Sequence, residues 1–236
     1  VKSGKHVTEA LDILKQFDTS KSVEYTLSRC VILTIIAQVK MGLGRGHDGV
    51  PLNGSSNDDT QEQGQQSKSS KLSAEALNLL DEAVSEASRV RGMESIEAAV
   101  FMCELAAARL RLGGIEKSIS ELKYALQIFV SSFGIRHHHT ARVQLLLAQA
   151  VGTKELIKVK ELTEQATATL KANLCPTHRD IGVAYEQLGK VCLGVQEDNR
   201  ALQLLRMAYT ITTKAKHETH VVQLETLLCA AYTRCA

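Results

Sequence analysis

The 236-residue chain has no tryptophan, and aromatic residues make up only 4% of it although hydrophobic residues make up 44%. A core of small aliphatic side chains suits closely packed helices better than a sheet sandwich. Only two prolines, Pro51 and Pro176, interrupt the chain, so long helices are permitted almost everywhere. Charge of one sign is also missing: 28 basic residues stand against 26 acidic ones, a net +2. A phosphate backbone calls for a concentrated basic stripe, and there is none, so no direct nucleic-acid partner is expected. The longest apolar run, residues 31–37, is broken by Thr34. It is too short to span a bilayer, and no membrane insertion is expected. None of the six cysteines (Cys30, Cys103, Cys175, Cys192, Cys229 and Cys235) forms a C-x-x-C pair. They read as small buried hydrophobes in a reducing compartment, which implies a cytoplasmic location, cytoskeletal or ciliary sites included. No secretory signal is visible, and a chain that opens on Val1 reads as a fragment of a longer one.

What the chain does have is a ladder. Ala83, Ala125, Ala166 and Ala208 recur at steps of 42, 41 and 42 residues. Twenty-three residues after each stands another small residue: Ala106, Ala148, Gly189 and Ala231. Between them lies a polar rung, Ser95, His137, His178 and His220, at the same steps. Self-similarity at this period marks a solenoid, whose units are too small to bury an apolar face alone and must stack on one another. The small rungs mark where helices approach most closely.

Apolar residues at i, i+3 and i+4, with glycines and capping residues between the runs, predict about ten helices, at approximately 8–17, 22–41, 73–90, 95–112, 116–133, 138–151, 154–173, 179–193, 197–214 and 217–235. They alternate between an A type, which carries Ala106, Ala148, Gly189 and Ala231, and a B type, which carries Ala83, Ala125, Ala166 and Ala208. The expected fold is all-α: a single right-handed α-solenoid of antiparallel helix pairs over residues 1–236. One interval is too long. Ala37 to Ala106 spans 69 residues, and the excess falls in a polar, Gly-, Ser- and Gln-rich stretch. That stretch predicts a disordered insertion at 43–71.

The motifs resemble tetratricopeptide repeats (TPRs) of the 42-residue kinesin-light-chain type. Ala125-Leu126-Gln127-Ile128 matches that type's helix-B motif. Residues 133–141, Phe-Gly-Ile-Arg-His-His-His-Thr-Ala, match its turn, as do residues 174–181, Leu-Cys-Pro-Thr-His-Arg-Asp-Ile. Leu147-Ala148 and Leu188-Gly189 occupy its L-A pair. The resemblance covers most of the chain and weakens before residue 72. It departs in one place: Leu145-Leu146 and Glu186-Gln187 stand where kinesin light chains carry paired asparagines. An asparagine-based peptide site does not carry over, and the chain reads as built from that repeat without being a kinesin light chain itself.

The resemblance implies that the A helices line a concave groove. Counting from each small rung, the groove positions are Val31, Thr34 and Gln38, then Val100, Cys103 and Ala107, then Arg142, Leu145 and Gln149, then Val183, Glu186 and Lys190, and finally Glu225, Leu228 and Tyr232. Such a trough suits an amphipathic helix or an extended apolar segment of another protein. Arg142 and Lys190 are too few for a carboxylate clamp. Consecutive histidines at 137–139 point in different directions along a helix, so no metal site is expected there. The recurring polar rung reads as a turn residue. No nucleophile–base pair, phosphate loop or H-E-x-x-H motif appears, and no enzyme activity or cofactor is expected. The leading expectation is a non-catalytic adaptor. The alternatives are a structural subunit of a large assembly (axonemal, ribosomal or kinetochore) and the regulatory tail of a larger enzyme.

Overall fold

The computed structural model describes residues 9, 12, 23–43, 59–214 and 218–235. Apart from Glu9 and Asp12, which are helical, the expected helix at 8–17 lies outside the described residues, as do residues 44–58 of the expected insertion. Among the described residues there are nine α-helices, one short 3₁₀ helix and no strand.

The helices gather into two compact units, Val1–Gly114 and Ile115–Ala236. The first contains α1 (Val23–Leu43), α2 (Asp59–Arg91) and α3 (Ile96–Arg111). The second contains α4 (Ile115–Phe133), α5 (His138–Val151), a 3₁₀ turn (Gly152–Glu155), α6 (Leu156–Asn173), α7 (Arg179–Gly194), α8 (Asp198–Lys214) and α9 (Glu218–Cys235). Within each unit every helix packs on the next in sequence. Second-neighbour contacts join α1 to α3 in the first unit, and α5 to α7 to α9 in the second. These are the A helices, so the A type forms a layer of its own in each unit.

Three boundaries differ from the sequence expectation. The helix expected at 73–90 begins at Asp59, so residues 59–71 of the expected insertion are helical. A helix anchored by the apolar stripe after residue 73 is already nucleated, and adding polar residues without a proline needs little further stabilisation. The helix expected from 154 begins at Leu156, behind the 3₁₀ turn. The helix expected to stop before Gly194 runs through it, and the left-handed residue that follows is Gln196 at φ 64°.

The ladder is a burial register. In α3 the buried residues are Ala98, Ala99, Phe101, Met102, Cys103, Leu105, Ala106 and Ala108. In α5 they are Thr140, Ala141, Val143, Gln144, Leu145, Leu147, Ala148 and Ala150. Each lies 42 residues after its counterpart. All eight small rungs, Ala83, Ala106, Ala125, Ala148, Ala166, Gly189, Ala208 and Ala231, are buried. Gly189 shows why the rungs are small. A Cβ there would stand 2.8 Å from Leu205 Cγ and 2.9 Å from Leu205 Cδ2, inside van der Waals contact. The larger side chains fill the spaces between rungs. Leu122, Leu170 and Leu205 are fully buried, each contributing roughly 1.5–3 kcal/mol by leaving water.

Three of the four polar-rung residues cap helices, and the fourth, His220, stands within the first turn of α9. The amide of Ala98 donates to Ser95 Oγ (3.2 Å), that of His139 to His137 Nδ1 (3.3 Å) and that of Asp180 to His178 Nδ1 (3.2 Å). Each bond satisfies one of the free amides at a helix start. The preceding helix ends at a left-handed glycine in two of these turns, Gly92 and Gly134, a conformation in which a side chain would be strained.

Candidate protein-binding groove

The A helices present one edge to solvent, and the two units dress it differently. In the first unit it is aliphatic. Val31 is 49% exposed and Val100 43%, with Ile35 beside Val31 more open still. Gln38 Nε2 donates to Glu104 Oε2 at 3.0 Å, tying α1 to α3 along this edge, and Ala107 is half-buried.

In the second unit the edge is polar and internally paired. Arg142 meets Asp180 at 3.4 Å. Gln187 Nε2 donates to Gln149 Oε1 at 3.4 Å, linking α7 to α5. Lys190 Nζ lies 2.6 Å from Glu186 Oε1. Val183 and Leu228 are half-buried. On α9 the hydroxyl of Tyr232 accepts from Arg206 Nη2 at 2.6 Å, and the guanidinium lies 5.1 Å from the ring centroid. Tyr209 donates to Glu225 Oε1 at 3.2 Å.

Four of the expected groove residues are packed inside their units. Thr34 is buried and donates to Cys30 O at 2.9 Å. Cys103 is buried in α3. Leu145 belongs to the cluster of Ala141, Ala166, Leu170, Ile181, Ala184 and Ile211. Glu186, only 6% exposed, keeps its carboxylate against Lys190. These four share one register position, three residues before the small rung, which lies on the inner side of the helix. Val31, Gln38, Val100, Arg142, Gln149, Lys190 and Tyr232 are exposed. The structure adds Ile35, Glu104 and Gln187 to the edge, all two residues before the rung. The apolar run of residues 31–37, broken only by Thr34, was the one sequence signal for Ile35.

The histidines gather around the Phe133 ring. His137 stacks on Phe133 with centroids 4.5 Å apart, and His138 and His139 are 4.1 Å apart. Among the described residues no three His, Cys, Asp or Glu side chains are arranged to hold a metal ion. Burial, then the neighbouring His137 and Arg142, lowers the pKa of His138. Burial, then His138 and His137, does the same for His139. The cysteines divide: Cys30, Cys103 and Cys192 are buried, whereas Cys175, Cys229 and Cys235 are exposed, contrary to the expectation that all are buried. Cys175 lies in the turn before α7, and the other two lie on α9. Burial, with Glu86 nearby, pushes the Cys30 thiol up to about 11, the direction of an inert core thiol. No helix among the described residues is long and apolar enough to cross a membrane.

No family model matches the chain, and no curated protein matches it. Solved structures do. A kinesin-light-chain-like protein of nearly identical TPR-like repeats from Podosopora anserina is 19% identical, with TM-score 0.54, over 86% of this chain and 87% of that one. BtubC (BKLC) from P. vanneervenii is 16% identical, with TM-score 0.53, over 92% and 90%. The apo form of RapI is 17% identical, with TM-score 0.56, over 98% of this chain and 68% of RapI. At such identities the likeness concerns the fold, and the fold of this chain is a TPR-like α-solenoid.

Proposed function

We propose that the chain is a non-catalytic protein-interaction scaffold that holds a peptide or an amphipathic helix of another protein along the exposed edge of its A helices. The observation that carries this reading is the uncovered aliphatic set Val31, Ile35 and Val100, presented by adjacent helices of one unit. Such a set offers the i, i+3/i+4 anchors of a partner helix a place to leave water. The second unit carries a paired, polar edge of its own. Arg142, Gln149, Gln187 and Lys190 supply polar contacts whose side chains are already held by neighbours, which lowers the ordering cost of binding. The TPR-like fold supports the same reading.

The test compares affinity capture by the full chain with capture by Val31→Glu/Val100→Glu and by Arg142→Gln/Gln149→Glu. All four side chains are exposed, so the fold is expected to survive. The first pair is expected to abolish capture of the specific partner, and the second to weaken it in a salt-dependent way. A partner set unchanged by both pairs would overturn the edge as the binding surface. The alternative of a subunit held permanently in a large assembly makes a different forecast: the isolated chain would aggregate, where a scaffold sediments as a monodisperse species.

A further inference from the structure

Acidic residues are absent from 122–154 and again from 165–179, although the chain holds 26 of them. Those two stretches meet at one end of the second unit. The first forms the turn from α4 into α5 and the second the turn from α6 into α7. Asn173 Nδ2 donates to Arg136 O at 3.0 Å between them. Arg136 and Arg179 are exposed there, and neither meets a carboxylate among the described residues. The half-buried His137, His138 and His139 lie beside them, with ring centroids 4.1–5.3 Å apart. From α4, Phe129 and Phe133 face His139. From the start of α7, His178 and Asp180 face His138, and Asp180 meets Arg142 at 3.4 Å and His178 at 3.9 Å. In the first unit Glu94, Ser95, Ile96 and Glu97 hold the register positions of Arg136, His137, His138 and His139. The sign of the turn is thus reversed from one unit to the other.

We propose that this end of the second unit docks a carboxylate-rich segment of a partner protein, with uptake of protons. The site lies at the turns, beyond the edge of the A helices proposed above, and does not involve Val31 or Val100. Arg136 and Arg179 are free to pair with carboxylates, and Arg142 already holds one. The two free arginines sit in separate turns, which suits a run of carboxylates better than a single phosphate. Phe133 and Ile135, 39% and 58% exposed, offer apolar contact to side chains between the acids. A nucleic-acid backbone calls instead for a longer basic stripe. The histidines link docking to pH. Burial and their neighbours hold His138 and His139 below the ordinary imidazole value, so near neutrality they carry no charge. A carboxylate beside them favours the imidazolium. Their pKa is then higher in the complex than in the free chain, and affinity rises as pH falls through that range.

Fluorescence anisotropy on the full chain tests this, with a labelled peptide of paired glutamates separated by single leucines. Its carboxylates stay ionised near neutral pH. Saturable binding is expected, at least about threefold tighter at pH 6.0 than at pH 7.5 in constant salt. Arg136→Glu/Arg179→Glu is expected to weaken it at least about tenfold. If circular dichroism shows that this reversal unfolds the chain, Arg136→Gln/Arg179→Gln is read instead, with a loss of at least about threefold. Lys117→Glu/Lys123→Glu makes the same change in net charge at exposed positions of α4 and is expected to bind within about twofold of the unmodified chain. His138→Gln/His139→Gln is expected to flatten the pH response. Val31 and Val100 are untouched in every variant, so failure here is told apart from failure of the first unit's edge. Absence of saturable binding, equal loss from the two charge reversals, or a full pH response without His138 and His139 overturns the proposal. So does equally strong binding of inorganic phosphate or of an oligothymidylate, because the site is then one for a free anion or for a nucleic acid.

Discussion

Helices α3 and α5 bury the same eight register positions in two different units, yet the edges beside those positions share almost no chemistry. Six residues before the small rung stand Val31 and Val100 in the first unit and Arg142, Val183 and Glu225 in the second. One residue after it stand Gln38 and Ala107, then Gln149, Lys190 and Tyr232. The core has little freedom, because a rung larger than alanine meets the next helix. The edge meets only water and is free to diverge. An aliphatic edge provides affinity with little discrimination, whereas a charged and amide-bearing edge provides orientation and salt dependence. Under the proposed function, the two units would offer two modes of contact.

The largest expected effect tests the line between core and edge. Leu145 sits in the core cluster of the second unit, whereas Val100 is at the open edge of the first. Leu145→Glu buries an unpaired carboxylate and is expected to cost about 3–5 kcal/mol. Val100→Glu is expected to stay within about 0.5 kcal/mol. Urea denaturation of the full chain measures both, and equal costs would erase the distinction. Next in size is the close approach itself. Gly189→Leu, which has to displace Leu205, is expected to cost about 1–3 kcal/mol in the same assay. A cost near zero would mean that α7 and α8 can separate freely.

Caps give a smaller contrast. Ser95→Ala and His137→Ala each remove one acceptor from a helix start and are expected to cost about 1 kcal/mol. Similar values would show that serine and histidine do the same work at this rung, and a much larger cost for His137 would assign weight to its stacking on Phe133.

Much of this was legible in the residues. The 42-residue steps of Ala83, Ala125, Ala166 and Ala208 located the close contacts, and Ser95, His137 and His178 located the helix starts, because sterics and free amides act locally. The groove positions were legible only in part. A count from the rung fixes an angle around the helix, but not how far the neighbouring helix wraps over it, so Leu145 and Glu186 looked like edge residues and are core. The start of α2 at Asp59 was hidden for a related reason. Polar composition argues against burial, and a helix propagated from a buried segment needs none.

The smallest contrast is titration. His137 and His178 cap α5 and α7 through Nδ1, whereas Ser95 caps α3 with a hydroxyl; the groups that titrate beside the start of α5 are His138 and His139. Burial and the adjacent His137 hold both below the ordinary imidazole value, with Asp180 pulling weakly the other way. A histidine whose folded pKa is depressed binds its proton more readily in the unfolded chain. Its contribution is therefore fully present above pH ~6.5 and declines as pH falls from there toward the folded value. Hydrogen exchange at the start of α5 is expected to speed up, after correction for intrinsic rates, between pH 7.5 and 5.5, while the start of α3 holds steady. His137→Ser is expected to keep the cap and, by removing one neighbour that lowers His138 and His139, to blunt the pH response. Parallel loss of protection at both helix starts would mean that the acid sensitivity lies elsewhere and that the two kinds of cap are equivalent.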